Sequence, residues 1–207
     1  RIFVKNYSTM KNLFISLFIC FSITSYGQVD FDGSEIGVEV FAARAGSNGG
    51  TMGFGLKYAA ILNENFIVGP SLRYHYTWSF IDPNLTQGSK VSGSLYGGGF
   101  FAHARYKDAL FGGVEFELLK TPFNFSPTLG EFKPWIATLF IGGGFSKLYN
   151  KVRINLGVFY DVINAENSPF RPNYAIRIKN AEGGTQRILP IIYRINFFFP
   201  IETKKEK

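Results

Sequence analysis

Hydrophobic and polar residues alternate with a period of two along much of the chain. In 66–80, the even-numbered positions are apolar or aromatic, and the odd-numbered positions are mostly small or polar. The stretches 110–118 and 152–162 show the same alternation. Because successive side chains of a β-strand point to opposite faces, this pattern is typical of strands with one apolar face.

The alternating stretches predict eight strands. Their approximate bounds are 35–45, 51–62, 66–80, 91–106, 109–120, 133–148, 151–163 and 186–199. Three connections are short (63–65, 107–108 and 149–150), and four are longer (46–50, 81–90, 121–132 and 164–185). Short turns on one rim and long loops on the other are typical of outer-membrane barrels. Lipid offers no partner for an open sheet edge, so the predicted fold is all-β: a closed eight-stranded antiparallel up-and-down transmembrane β-barrel.

The last predicted strand carries an arginine within an apolar stretch, RILPIIYRINFFFP. Its odd-numbered positions are apolar, whereas Arg194 and Asn196 share the opposite face. A cation facing the middle of a bilayer would cost roughly 2–4 kcal/mol. The pattern therefore predicts that Tyr193 faces lipid and Arg194 faces the lumen.

Every charged residue in the middle of a predicted strand falls on the inward face. These residues are Glu39, Lys57, Arg73, Arg105, Glu115, Glu117, Arg153, Asp161 and Arg194. Both signs are present in nearly equal number, and a charge shielded from water is costly unless it is paired. The sequence thus predicts a structural network of charge pairs that closes the lumen, with Glu39 opposite Lys57. A water-lined pore with separate, hydrated charges is the alternative.

A soluble barrel with its apolar face inward is the alternative architecture, because periodicity does not say which face is inside. The apolar face is too bulky for an eight-stranded interior, and the polar face is poor in Lys and Glu. Aromatic residues also gather near the predicted strand ends, as they do in interfacial belts. They are Trp78, Tyr96 and Trp135 toward the loop rim, and Tyr106 and Tyr149 toward the turn rim. These features favour the membrane barrel.

Composition and charge narrow the function classes. Charged residues make up 18% of the chain, below the roughly 25% of typical soluble domains. The net charge is +7, but three of the basic residues lie near the N-terminus, at Arg1, Lys5 and Lys11. Because no dense run of Lys or Arg occurs, a nucleic-acid partner is not expected.

The N-terminal region predicts export. From Met10, the sequence MKNLFISLFICFSITSYGQ has a basic start, an apolar core, and the small residues Ser25 and Gly27 at a plausible cleavage pair. These features are typical of a secretory signal peptide, which would also remove Cys20, the only cysteine, although a lipoprotein remains an alternative. The expected organisation is 1–9 upstream read-through, 10–27 signal peptide and 28–207 outer-membrane β-barrel domain.

The signal peptide, the eight alternating stretches and the last strand YRINFFF resemble the small eight-stranded outer-membrane β-barrel family of OmpX, the OmpA barrel and opacity proteins. Cleavage before Gln28 is similar to that of Bacteroidota exports. The resemblance implies a Gram-negative outer-membrane location, with outer-membrane lipid and, during insertion, the barrel-assembly machinery as partners. The segment PIETKKEK after the final aromatic residue departs from the family's usual ending.

Family members act as adhesins, membrane stabilisers, narrow pores, complex subunits or lipid-modifying enzymes. We expect a structural or interaction role, either membrane stabilisation or binding of a protein partner through loops 121–132 and 164–185. Aromatic residues in these loops either contact a partner or pack on each other; they are Phe123, Phe125, Phe170 and Tyr174. A narrow porin-like channel is the first alternative, and a lipid-modifying outer-membrane enzyme is the second.

The enzyme alternative depends on the two histidines. His75 and His103 fall on adjacent predicted strands and on the inward face, but about seven residues, or about 23 Å, separate them along the strand. They are therefore not expected to share a metal ion. The motifs GxSxG, HExxH and CxxC are missing. We expect no enzymatic activity, no cofactor, and no catalytic or metal site.

Overall fold

The computed structural model describes residues 33–46, 49–80, 90–121, 134–165, 168–170, 174–179 and 185–201. They all belong to one compact unit, Asp32–Lys207. The predicted read-through segment, signal peptide and cleavage point lie outside the described residues. Among the described residues, no helix is long and apolar enough to cross a membrane.

The described residues form ten strands. These are β1 (Gly33–Gly46), β2 (Gly49–Asn63), β3 (Phe66–Phe80), β4 (Lys90–Tyr106), β5 (Leu110–Lys120), β6 (Trp135–Tyr149), β7 (Val152–Asp161), β8 (Ile176–Lys179), β9 (Thr185–Leu189) and β10 (Ile191–Ile201). Strands β1 to β7 and β10 close into a barrel in chain order, and every neighbouring pair is antiparallel. The predicted closed eight-stranded antiparallel barrel is confirmed.

The eighth barrel strand is shorter at its start than predicted. The alternation predicted one strand over 186–199, but β10 begins at Ile191, and residues up to Leu189 pair with β8 in a separate hairpin. Pro190 separates the two strands, because it has no N–H to give to a sheet ladder. Its carbonyl instead accepts a 2.7 Å hydrogen bond from the N–H of Asp161. Leu189, predicted to face lipid, is therefore not a barrel residue.

The predicted longer connection at 46–50 is wrong, because β1 and β2 extend to Gly46 and Gly49. Gly46 pairs with Gly49, whereas Ala43 pairs with Thr51, so a bulge places one extra residue in β1. The turn between β4 and β5 is short, as expected. Its two central residues, Lys107 and Asp108, have φ of 48° and 49°, which matches the twist of a tight hairpin.

The outer wall is an unbroken ring of exposed apolar side chains. Each barrel strand contributes at least one residue with an exposed fraction between 41% and 69%. One residue from each strand, in chain order, is Val40, Phe54, Leu72, Phe100, Val114, Ile141, Leu156 and Ile195. The alternation of the sequence thus places its bulky apolar positions outside the barrel.

The interior is more apolar than the sequence pattern predicted. One buried cluster contains Leu95, Phe111, Leu119, Phe140, Phe159, Phe170, Tyr174 and Ile192. A second contains Ala59, Ile67, Phe101 and Phe198. These side chains and the charged ones between them fill the barrel, as expected for an eight-stranded interior.

Two inward glycines make room for the histidines on the neighbouring strands. Gly53 lies opposite His75, and Gly113 lies opposite His103. A Cβ atom at either glycine would collide with the facing imidazole ring. The position of each ring therefore depends on the absence of a side chain across the strand pair.

Candidate functional site: a buried charge cluster

Six charged side chains meet in the middle of the barrel and form what we call the central charge cluster. Its members are Glu39 of β1, Lys57 of β2, Arg73 of β3, Glu115 and Glu117 of β5, and Arg194 of β10. Each residue is at most 4% exposed. All six point into the barrel because each occupies an inward-facing position in the alternating sequence of its strand. Three acids face three bases, so the cluster is neutral when all six are ionised.

Lys57 and Arg73 each bridge two carboxylates. The ammonium of Lys57 lies 3.0 Å from Oε2 of Glu39 and 2.7 Å from Oε1 of Glu115. Arg73 donates from Nη1 to Glu39 at 2.6 Å, and from Nε and Nη2 to the two oxygens of Glu117 at 2.9 and 2.7 Å. This fork-shaped pairing of guanidinium and carboxylate is both strong and directional.

The predicted facing pair Glu39–Lys57 is wrong in register, although the two side chains do make an ion pair. Gly55 lies opposite Glu39, and Lys57 lies opposite Gly37. The bulge in β1 and the longer strands shift the register by two residues, so the pair is diagonal. The long lysine side chain spans that distance.

The contacts of Arg194 explain how a cation is accommodated in an otherwise apolar strand. Its Nη1 lies close to three carboxylates, contacting Glu115 and lying 3.3 Å from Glu39 and 3.2 Å from Glu117. Its guanidinium carbon also lies 4.4 Å from the centre of the Phe140 ring, which adds a cation–π contact. The apolar neighbours of Arg194 in sequence point outward, and Arg194 itself points into the cluster.

Both histidines are held by members of the cluster. Nε2 of His103 lies 2.9 Å from Oε1 of Glu115, and Nε2 of His75 lies 3.3 Å from Nη1 of Arg73. The His75 ring also stacks on Phe41, with 4.6 Å between ring centres. Within the described ranges, no three His, Cys, Asp or Glu side chains group in a way that could hold a metal ion.

Arg105 forms a second charge pair outside the central cluster. It donates to both oxygens of Glu35, at 3.1 and 2.6 Å, and its guanidinium lies over the Phe198 ring. The predicted charge network omits Glu35, the first residue of the first predicted strand. Its parity, which is the same as that of Glu39, is the feature that predicts its inward direction.

Arg153 and Asp161, the remaining members of the predicted network, do not join the cluster. Nη2 of Arg153 lies 2.5 Å from Oδ1 of Asp108 in the β4–β5 turn. The Asp161 carboxylate accepts hydrogen bonds from the hydroxyls of Tyr174 and Ser168, at 2.7 and 3.3 Å. The two residues lie at opposite ends of β7, so each side chain pairs at the rim that it can reach.

Asp161 anchors Ser168 and Tyr174, two residues between β7 and β10, inside the barrel mouth. Phe170 and Tyr174 of this connection are 1% and 3% exposed. The Phe170 ring packs edge-on against Phe140, with 5.0 Å between ring centres. The guanidinium carbon of Arg73 lies 5.6 Å from the centre of the Phe170 ring. Phe170 therefore lies against the loop-rim side of the central cluster. Phe123 and Phe125 lie outside the described residues.

Comparisons with known proteins identify a similar fold among the solved structures. No protein-family model matches the sequence, and a search of the curated proteins finds no match. Among solved structures, the chain is similar to the Yersinia pestis outer membrane protein Ail in a phospholipid bilayer nanodisc, with 15% identity and a TM-score of 0.43. The match covers 82% of this chain and 100% of that chain. Similarity at this level carries no argument about function.

Proposed function

We propose that this chain is an integral outer-membrane protein with a structural or interaction role, and that its lumen is closed. The exposed apolar ring supports the membrane location most directly. Soluble monomers rarely expose apolar patches larger than a few hundred Å², and this ring continues around all eight barrel strands. Burial of acids and bases inside, with apolar side chains outside, is the arrangement that a hydrocarbon solvent favours.

The strand lengths also support a spanning barrel. A tilted β-strand needs about 9–11 residues to cross a bilayer. The shortest barrel strand, Val152–Asp161, has 10 residues, and the longest, Lys90–Tyr106, has 17. Each barrel strand is therefore long enough to cross. The outer-membrane location and the barrel-assembly machinery as insertion partner come from the sequence features and belong to this proposal.

The filled interior supports a closed lumen. The central cluster crosses the barrel from β1 to β5, and buried aromatic residues lie next to it, among them Phe140 and Phe170. An ion passing through would have to break buried charge pairs, which costs several kcal/mol per uncompensated charge. We therefore propose that the narrow-channel alternative does not apply to the resting protein.

A non-enzymatic role is part of the proposal. His75 and His103 are both buried, and each is held by a charged neighbour in the cluster. The hydrogen-bond partners of His75 and His103 are Arg73 and Glu115, whereas a histidine that activates a hydroxyl nucleophile is bonded to that hydroxyl. The function then lies at the surface, in membrane stabilisation or in a partner bound by loops 121–132 and 164–185.

Migration in SDS gels tests the membrane barrel. The mature protein, purified from outer membranes, is run with and without boiling. A closed hydrogen-bonded wall resists SDS until it is heated, so the unboiled sample should migrate differently. Identical migration of both samples, or recovery of the protein only in the soluble fraction, would contradict the proposal.

Two further measurements separate the alternatives. Planar bilayers containing the folded protein should show no steady current, and a stable open-channel conductance would establish the channel. Mass spectrometry of lipid A from cells with and without the protein should give the same spectrum. A change in acylation would establish the enzyme.

A further inference from the structure

An apolar groove of about 410 Å³ crosses the outer wall near the short-turn rim. Its floor is formed by Ala104 of β4 and Gly112 of β5, which face each other across the two strands. Phe66 borders it on the β3 side, and Tyr106 and Leu110 border it toward the rim. Small residues form the floor of the groove and bulky ones form its edges, so an extended acyl chain can lie in it.

Two exposed lysines lie beside the β4–β5 turn, at the rim to which this groove leads. The ammonium of Lys107 lies 5.3 Å from the centre of the Tyr106 ring, next to the groove wall. Lys147 of β6 is exposed on the same face as Phe145, which pairs with Leu110. The N–H of its neighbour Ser146 donates to Ala109 in the β4–β5 turn. This contact brings the β6 strand end beside the turn that carries Lys107.

Asp108, the acidic residue of this turn, already has an ion-pair partner. Asp108 lies between Lys107 and Ala109, and its carboxylate is 2.5 Å from the guanidinium of Arg153. Asp108 is therefore paired with Arg153, although its side chain is 56% exposed. Glu64 lies next to the lining residue Asn65, so the two lysines leave a net positive charge near the rim end of the groove.

We propose that this groove binds an anionic glycerophospholipid of the leaflet at the short-turn rim. One acyl chain lies on Ala104 and Gly112, and the phosphate lies between Lys107 and Lys147. An apolar channel that ends at two cations matches the two parts of such a lipid, its chain and its charged headgroup. The inference rests on the proposed membrane location.

Native mass spectrometry of the folded mature chain, released from detergent micelles, tests the site. Phosphatidylglycerol and phosphatidylethanolamine with the same acyl chains are added separately. Each lysine near a headgroup contributes roughly fivefold in affinity for an anionic lipid. Phosphatidylglycerol should therefore bind at least about fivefold more tightly, and the double variant Lys107→Gln/Lys147→Gln should lose this preference.

The contact between the acyl chain and the groove is tested with a separate variant and a matched control. A Cβ at Gly112 meets only the carbonyl of Gly142, at 3.7 Å, so Gly112→Leu should fill the groove without disturbing the barrel. It should weaken binding of both lipids by several fold. Ala137 is a small residue on the outward parity of β6, away from the groove, and Ala137→Leu should leave binding unchanged.

Three outcomes would overturn the site: equal binding of the two lipids by the wild type, an unchanged preference in the lysine variant, or a second copy of the chain in place of lipid. The gel shift on boiling is recorded for every sample. A normal shift without lipid preference rejects the groove alone, whereas loss of the shift in the wild type rejects the membrane barrel itself.

Discussion

Nζ of Lys57 lies 3.0 Å from Oε2 of Glu39, although Gly55 is the residue opposite Glu39 in the strand pairing. The ion pair is therefore diagonal across β1 and β2, and its partners also bind other members of the cluster. Glu39 contacts Arg73 and Arg194 as well. The loss of one carboxylate thus affects three cations.

Removal of Glu39 should destabilise the barrel strongly. Glu39→Ala leaves buried positive charge uncompensated, and we expect a loss of about 3–5 kcal/mol in the free energy of unfolding, measured by urea titration in lipid vesicles. The double variant Glu39→Ala/Lys57→Ala should recover part of this loss. Glu64→Ala in the exposed β2–β3 turn is the control and should change little. Strictly additive losses at Glu39 and Lys57 would contradict the pairing.

The face of the strand on which a charged residue lies can be predicted from sequence, whereas its ion-pair partners cannot. Arg194 and Glu39 each sit in an alternating stretch, so their inward direction follows from the period of two. Which carboxylate meets which cation depends on register, and the bulge near Gly46 together with the shorter β1–β2 turn shifts that register by two residues. Six of the nine predicted charges meet in the central cluster, because they lie away from the strand ends.

The contents of the barrel mouth were not predictable by the same reasoning. Phe170 and Tyr174 lie in a connection without alternation, so sequence gave them two equal interpretations. Tyr174 is held by Asp161, whose carboxylate accepts a hydrogen bond from the Tyr174 hydroxyl. Parity groups Asp161 with the other inward charges, because it does not distinguish a strand end from its middle. The alternation likewise places Pro190 within the last strand.

Exchange of two adjacent residues tests the inward and outward faces of β10. The double variant Tyr193→Arg/Arg194→Tyr places a cation on the lipid side and a bulky ring inside the cluster. A charge at mid-bilayer costs roughly 2–4 kcal/mol, and the cluster also loses a cation, so folded protein in the outer membrane should fall below detection. Tyr193→Leu is the control and should assemble normally. Wild-type amounts of the exchanged variant would contradict the register.

Two adjacent glycines of β5 should respond in opposite ways to the same substitution. A Cβ at Gly113 collides with the ring of His103, which is hydrogen-bonded to Glu115. Gly113→Ala should therefore lower the free energy of unfolding by about 1–3 kcal/mol. The Cβ of Gly112→Ala points outward and makes only an ordinary contact with the carbonyl of Gly142, so this variant should be neutral or slightly stabilising. If both variants unfold at the same urea concentration, the position of His103 is wrong.

The hydroxyl of Tyr174 should control access to the β7–β10 connection. It donates to the buried carboxylate of Asp161, and a hydrogen bond to a charged group contributes about 1.5–3 kcal/mol. Tyr174→Phe should therefore raise the rate of proteolysis within 162–190 in intact vesicles by about tenfold or more. Tyr160→Phe removes an outward hydroxyl and should have no effect. An unchanged cleavage rate in Tyr174→Phe would show that the anchor does not hold this segment.

Contact between the outer wall and lipid is the central claim, and collision measurements on nitroxide labels test it most directly. Single cysteines replace Leu156, Val158 and Tyr160 on the exposed face of β7 in a Cys20→Ser background, and the protein is reconstituted in vesicles. Labels in hydrocarbon should collide often with dissolved oxygen and rarely with a water-soluble nickel chelate. Frequent collisions with the nickel chelate at all three positions would place this face in water and contradict the membrane barrel.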